Sequence, residues 1–219
     1  KRQGLERTAM IKTGIEDIRR LVYPHLYVKA ECTDEQLAEM VEVDQTPLTR
    51  EGEKLVKAII QTAIGNANQP SPCQFLAYKG NFLDRKVEVY VYESDVGKKL
   101  MGPAALNTVY FYDSNVLGAP KEGLENTKIV KMAREKGVST GVRYLDAIAA
   151  LAVASIEKKI NSGEIGDVNV RVKIAKLPSD VNIRVQTAGM AYITSKHKRI
   201  IVKGPVFVGI KAKIRFWGS

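Results

Sequence analysis

The feature that most constrains the fold is a regular alternation of apolar and polar residues along positions 168–219. Successive side chains of a β-strand point to opposite faces, so this pattern predicts strands with one buried face and one polar face. The segments predicted as strands are 168–174, 181–186, 191–194, 199–203 and 206–216. The end of the chain is therefore expected to form an antiparallel β-sheet.

The last of these strands carries cations and aromatic rings on its polar side. Its predicted core side chains are Val206, Val208, Ile210, Ala212, Ile214 and Phe216. The opposite side then presents Phe207, Gly209, Lys211, Lys213, Arg215 and Trp217. A strand face with this composition is more typical of a binding surface than of a catalytic site.

The distribution of charge along the chain supports the same expectation. The net charge of +10 comes from 34 basic and 24 acidic residues. Residues 1–167 are balanced, whereas residues 168–219 hold eleven Lys or Arg and one acid, Asp180. A separation this complete is typical of a surface that meets a polyanion.

The rest of the chain indicates an α+β fold. Helices are predicted around Ile11–Val22, after a Thr33 capping box, over the apolar stripe from Leu55 to Ile64, and at about 124–136. A long Ala-rich helix at about 143–160 is expected to be buried, and strands at 74–78, 86–92 and 107–112 to form an antiparallel set. We expect one α+β unit over 1–219, with a helical part at 1–67, a hairpin and helices at 68–167, and a basic antiparallel sheet at 168–219.

Cations and exposed rings on one face suit nucleic acid, because Lys and Arg neutralise phosphates and aromatic rings stack on bases. The residues expected to contact nucleic acid are Arg171, Lys173, Arg184, Lys196, Lys198, Arg199, Lys211, Lys213, Arg215, Phe207 and Trp217. DNA and RNA are both compatible with this surface, as is an acidic protein partner.

Catalytic, metal and cofactor sites are not expected from the sequence. His25 and His197 lack visible acid–base or metal partners, and no glycine-rich loop follows a strand. The acidic residues Asp34, Glu35, Glu39, Glu42 and Asp44 are typical of a solvated helix face. Cys32 and Cys73 form no disulfide framework, and no apolar run spans a bilayer, so we expect a cytoplasmic protein, or a virion protein if viral.

The leading hypothesis is therefore a non-enzymatic protein that binds or coats nucleic acid in a homo-oligomer or multi-copy assembly. A neutral-to-acidic helical part and a basic sheet suit head-to-tail contacts between copies. The order of a helical arm, a long hairpin at about 76–112, a long helix and a sheet resembles capsid subunits of tailed phages. That resemblance implies a capsid subunit acting through protein–protein contacts.

The segment from Ala63 to Phe75 suggests a second alternative. Its Asn-Ala-Asn-Gln-Pro-Ser-Pro-Cys-Gln-Phe run, which ends at Phe75, resembles the flavin pocket of nitroreductases. The resemblance implies an FMN-dependent oxidoreductase, with Arg19 and Arg20 as counterparts of the phosphate-gripping arginines. Turn geometry explains the same Asn and Pro residues without any cofactor.

Overall fold

The computed structural model describes residues 31–118 and 128–218 and confirms the α+β class. Its helices within these residues are α1 (Asp34–Glu39), α2 (Arg50–Gly65), α3 (Lys128–Lys136), α4 (Tyr144–Asn161) and α5 (Thr187–Ser195), with a 3₁₀ turn at Pro178–Val181. The expected helix around Ile11–Val22, together with Arg19, Arg20 and His25, lies outside the described residues.

Ten strands accompany these helices in the described part of the chain. They are β1 (Val41–Val43), β2 (Cys73–Phe82), β3 (Arg85–Glu93), β4 (Thr108–Tyr112), β5 (Asn115–Gly118), β6 (Val138–Arg143), β7 (Gly166–Ile174), β8 (Ile183–Val185), β9 (Ile201–Lys203) and β10 (Pro205–Arg215). One sheet has the antiparallel order β2-β3-β10-β7, a second has the order β6-β4-β5-β9, and β1 pairs with β8.

Helix α4 lies at the centre of the hydrophobic core, as its small apolar residues predict. Ala147, Ala149, Ala152, Val153 and Ile156 are all at most 1% exposed. Small side chains let neighbouring backbones approach closely, and α4 packs on α2, β7 and β10.

Helix α1 begins where the Thr33 capping box predicts, and α2 contains the predicted apolar stripe and begins before it, at Arg50. Thr33 and Gln36 form the expected capping box, and the Thr49 hydroxyl accepts a hydrogen bond from the Gly52 amide at 2.9 Å. Leu55, Ile59 and Ala63 of the predicted stripe are buried, while the end of the helix turns Ile64 outward. The stripe fixes the face of α2 that meets the core.

The C-terminal strands do not pair as one sheet. Strands β7 and β10 join the hairpin of β2 and β3, whereas β8 pairs with β1 and β9 runs parallel to β5. Strand β4, which was expected to pair with that hairpin, belongs to the second sheet. Pairing across long sequence separations decides these partners, and local alternation carries no information about it.

The predicted strand at 191–194 is wrong, because this segment lies in helix α5. A four-residue alternation is short, and Gly189 lets the helix pack closely. A Cβ atom at Gly189 would lie 2.8 Å from Val185 Cγ1 and 3.0 Å from Met40 Sδ. Tertiary packing thus overrides the local pattern.

Candidate nucleic-acid interface

The four-stranded sheet β2-β3-β10-β7 has one covered face and one open face. Its inner side chains, among them Val89, Val91, Val208 and Ile210, are buried toward α2 and α4. The alternation predicted for β10 is confirmed, since Val206, Val208, Ile210, Ala212 and Ile214 are at most 2% exposed. The other face, which we call the outer sheet face, carries the polar side chains of all four strands.

Strand register places the basic residues of β10 in the middle of the outer sheet face. Lys211 lies opposite Tyr90 of β3 and Asn169 of β7. Lys213 lies opposite Glu88 on one side and Asp167 on the other. Two lysines therefore project from the central strands of the sheet.

Two tyrosines of β3 accompany these lysines. The Lys211 ammonium lies 4.7 Å from the Tyr92 ring centroid, and the Arg171 guanidinium lies 5.8 Å from the same ring. The Tyr92 hydroxyl donates to Asn169 Oδ1 at 2.6 Å. Tyr92 is thus held between two cations, while the ring of Tyr90 remains half-buried.

The Tyr90 hydroxyl donates to a carboxylate beside it. The acceptor is Glu88 Oε2 at 3.0 Å, and Lys79 Nζ lies 2.9 Å from Glu88 Oε1. The bond from Lys79 and that from Tyr90 hold the pKa of Glu88 below its ordinary value. The hydrogen bond with the same carboxylate raises the pKa of Tyr90 above its ordinary value.

A shallow hollow of about 300 Å³ lies on the outer sheet face. Gln74, Tyr90, Asn169, Lys211 and Lys213 are among its lining residues. Amides, a phenol and ammonium groups can bond to base edges and phosphates. Gln74, Tyr90 and Asn169 were not among the expected contacts, although Tyr90 lies between the apolar Val89 and Val91 in the sequence.

Several of the expected nucleic-acid contacts are instead paired with acids of the same chain. Arg171 contacts Glu93 at 2.5 Å and Asp95 at 3.1 Å, and Lys173 contacts Asp95 at 2.6 Å. These pairs hold the pKa of Asp95 below its ordinary value, through Lys173 first and Arg171 second. Their charge is largely satisfied within the fold.

Other expected residues lie away from the outer sheet face. Arg184 of β8 pairs with Glu42 at 2.5 Å, and Lys198 pairs with Asp113. Lys196 lies 5.6 Å from the Tyr192 ring in the turn after α5, and Arg199 lies before β9. The expected residues therefore occupy two sheets, the segment between α5 and β9, and the residues after β10, and only the set on β7 and β10 shares one face.

The two expected stacking residues lie at the ends of β10. Phe207 sits at an irregularity of the β7–β10 register with a φ of 47°, which removes it from the alternation, and Lys98 lies 5.4 Å from its ring. Trp217 follows the strand and is 66% exposed. Phe216 was predicted to face the core but is 47% exposed, because β10 ends at Arg215.

Arg215 is paired as well, since its Nη2 atom lies 3.4 Å from Asp167 Oδ1. Among the residues of 31–118 and 128–218, no cluster of three or more His, Cys, Asp or Glu could hold a metal ion. No helix in the same ranges is long and apolar enough to cross a membrane. Cys32 and Cys73 are free thiols.

Comparisons with known proteins match nearly the whole chain. A family model described as the O-phosphoseryl-tRNA synthetase C-terminal domain matches residues 107–142, which run from before β4 through β6. The O-phosphoserine–tRNA(Cys) ligase of Methanothermobacter thermautotrophicus is 39% identical over 212 residues, which are 97% of this chain and 40% of that relative. The same ligase of Methanoculleus marisnigri is 41% identical over 211 residues, or 96% of this chain and 38% of the relative.

These relatives correct the sequence-based hypotheses. A non-enzymatic coat or nucleoprotein, a capsid subunit and a flavin-dependent nitroreductase are all wrong, because relatives at about 40% identity are tRNA ligases. Alternation and charge indicate a surface and its sign, but neither distinguishes a coat from an enzyme that handles RNA. The chain is similar to archaeal O-phosphoserine–tRNA(Cys) ligases and spans about 40% of their length.

Proposed function

We propose that this chain is an RNA-binding portion of an O-phosphoserine–tRNA(Cys) ligase. The observation that carries the proposal is identity of 38% to 41% with such ligases over 96% or 97% of the chain. The relatives' name specifies tRNA(Cys), so the nucleic acid is RNA and not DNA. The cytoplasmic location expected from the sequence is consistent with a protein that acts on tRNA.

The outer sheet face supports this assignment. An antiparallel sheet with helices behind it offers a broad surface, and Lys211 and Lys213 place positive charge at its centre. Lysines release counterions from RNA phosphates, while Tyr90 supplies a ring and Gln74 and Asn169 supply amides for unpaired bases. We assign RNA contact to this face.

The binding residues of this proposal are fewer than the sequence suggested. Lys211 and Lys213 have no ion pair with another described residue, whereas Arg171, Lys173 and Arg215 do. Lys213 is exposed and Lys211 is half-buried beside the Tyr92 ring, whereas Arg171 and Lys173 join β7 to Asp95 in the segment after β3. Arg184 and Lys198 belong to other surfaces and are not part of this site.

The test compares Lys211→Gln/Lys213→Gln with a matched control, Lys57→Gln/Lys131→Gln. The control removes the same charge from exposed positions of α2 and α3. We expect the sheet variant to bind a tRNA(Cys) transcript more weakly and to lower the slope of log affinity against log salt by about 1 to 2. Fluorescence anisotropy over a salt series measures both quantities.

The control should bind nearly as wild type does, because its lysines lie outside the site. A sheet variant with the same affinity and the same salt slope as the control would exclude the outer sheet face as the RNA site.

A further inference from the structure

A groove of about 610 Å³ lies beside the second sheet, away from the outer sheet face. One wall is the end of β7 and the segment after it, with Ile174, Lys176 and Leu177. The other wall is β9 and the residues before it, with Arg199, Ile201 and Lys203. Lys176 and the two cations of the second wall therefore face one open space.

The backbone holds the two walls of this groove together. The Val202 amide of β9 donates to the Lys176 carbonyl at 3.2 Å, and β9 is fixed on its other side by parallel pairing with β5. The groove is thus formed by the ends of β7, β9 and β10 and by the segments next to them, and the bond between Val202 and Lys176 joins its walls.

The three cations of the groove differ from most other basic residues near the C-terminus. Lys176, Arg199 and Lys203 are exposed, and none forms an ion pair with another described residue. The nearby carboxylate of Asp180 accepts hydrogen bonds from the amides of Lys176 and Leu177 at 3.0 and 2.9 Å. These two bonds lower the pKa of Asp180, and the local balance of charge remains positive.

The groove also exposes aliphatic surface between its cations. Ile174 is 68% exposed and Leu177 is 56% exposed. A partner suited to both features has regularly spaced negative charges joined by less polar groups. The backbone of single-stranded RNA has this character, because phosphates alternate with sugars and with bases whose faces are apolar.

We propose that this groove is a second RNA contact, which holds the backbone of an unpaired stretch without reading its sequence. Lys176, Arg199 and Lys203 contact phosphates, while Ile174 and Leu177 pack against sugar and base faces. The inference rests on the proposed function, since it names a further part of the same RNA-binding portion. An acidic protein segment is the competing occupant, and binding of such a segment in the groove instead of RNA would overturn the proposal.

The test uses the variant Lys176→Gln/Arg199→Gln/Lys203→Gln in the 219-residue chain. Its matched control, Lys57→Gln/Lys131→Gln/Lys158→Gln, removes three charges from exposed helix positions. Loss of three phosphate contacts should lower the salt slope for a twelve-nucleotide uridine RNA by about 2 and weaken binding about tenfold or more at low salt. The affinity of the control for the same RNA should stay within about twofold of wild type, because its three positions lie away from the RNA phosphates.

A second variant tests the aliphatic contact without changing charge. Leu177→Asn should weaken binding of the same RNA about twofold to fivefold and leave its salt slope unchanged, because only apolar surface is lost. Circular dichroism and the thermal midpoint verify that each variant remains folded.

The outcomes separate the two proposals. If wild type binds neither the uridine RNA nor tRNA(Cys), the proposed function fails. If wild type binds RNA and the groove variant behaves as the control does, the groove is not an RNA site and this inference alone fails. Equal weakening for uridine and adenosine twelve-mers supports a contact that does not read sequence, whereas loss for only one of them contradicts it.

Discussion

At the scale of single residues, the clearest constraint is the contact between Gly52 and Glu157. The Glu157 side chain of α4 is buried and accepts hydrogen bonds from the Leu48 and Thr49 amides at 2.6 and 3.2 Å, and from the Thr49 hydroxyl at 2.6 Å. A buried carboxylate needs such partners. It thereby satisfies free amides just before α2 and ties that helix to the central helix.

This contact predicts opposite effects for two glycines of α2. A Cβ at Gly52 would lie 2.2 Å from Glu157 Oε1 and 2.7 Å from Pro47 Cβ, so Gly52→Ala should lower the free energy of unfolding by about 1 to 3 kcal/mol. At Gly65 a Cβ meets nothing within 4 Å, so Gly65→Ala should raise that free energy by up to about 1 kcal/mol. Urea unfolding measures the free energy of unfolding of both variants. Equal changes at Gly52 and Gly65 would contradict the contact of Gly52 with Glu157.

Sequence reasoning could not find this contact. The Thr49 cap and the apolar stripe of α2 are local patterns, but Gly52 and Glu157 are far apart in sequence. Glu157 is an ordinary charged residue at the end of an Ala-rich run, and only the packing of α2 on α4 shows that it is buried. The local pattern predicted the apolar face of the helix, and tertiary structure supplied the contact that ties its start to α4.

At the scale of elements, alternation predicted the strands better than their partners. The buried face of β10 follows the predicted alternation from Val206 to Ile214 but not at Phe216, and the buried helix α4 forms where its small apolar residues predict. The helix α5 and the division of the C-terminal strands among three sheets were not predictable, because both depend on contacts such as Gly189 with Met40. The alternation thus assigned Lys211 and Lys213 to the polar face of the strand, whereas it did not single out Tyr90 and Gln74 beside them.

The ion-pair network that links the end of β3 to β7 predicts a specific response to acid. Lys173 and Arg171 lower the pKa of Asp95 in the folded state. Stability from this group is therefore complete above its unfolded pKa of about 3.9 and is lost as pH falls through the lower folded value. Asp95→Asn should make the loss of unfolding free energy below about pH 4 less steep than in wild type.

Urea unfolding between about pH 3 and pH 6 covers this range. Asp84→Asn, in the exposed turn between β2 and β3, is the matched control and should keep the steepness of wild type. A variant at Asp95 that loses stability as steeply as wild type would show that the network contributes nothing to acid sensitivity.

At the scale of the whole molecule, folding redistributes the charge that the sequence separates. Acids from the first part of the chain reach the basic end, as Glu42 does with Arg184, Glu93 with Arg171 and Asp113 with Lys198. The expected polyanion surface is reduced to unpaired cations on the outer sheet face and in the groove. Net charge along the sequence indicates a polyanionic partner but does not locate the surface that would bind it.

We propose that the described elements belong to one unit, because buried residues from Leu37 to Ile214 form a single hydrophobic cluster. Self-association of this unit stays a prediction. Glu42 and Asp44 of the acidic patch are engaged with Arg184 of the same chain, so fewer acids are free for head-to-tail contacts than the sequence suggested. Sedimentation velocity at low salt tests directly whether the chain self-associates.

We propose that this chain binds RNA as part of a tRNA ligase. The most direct measurement is the affinity of the 219-residue chain for a tRNA(Cys) transcript over a range of salt concentrations. We expect tight binding at low salt and a slope of log affinity against log salt of about −2 or steeper. No binding at low salt, or binding that does not change with salt, would contradict it.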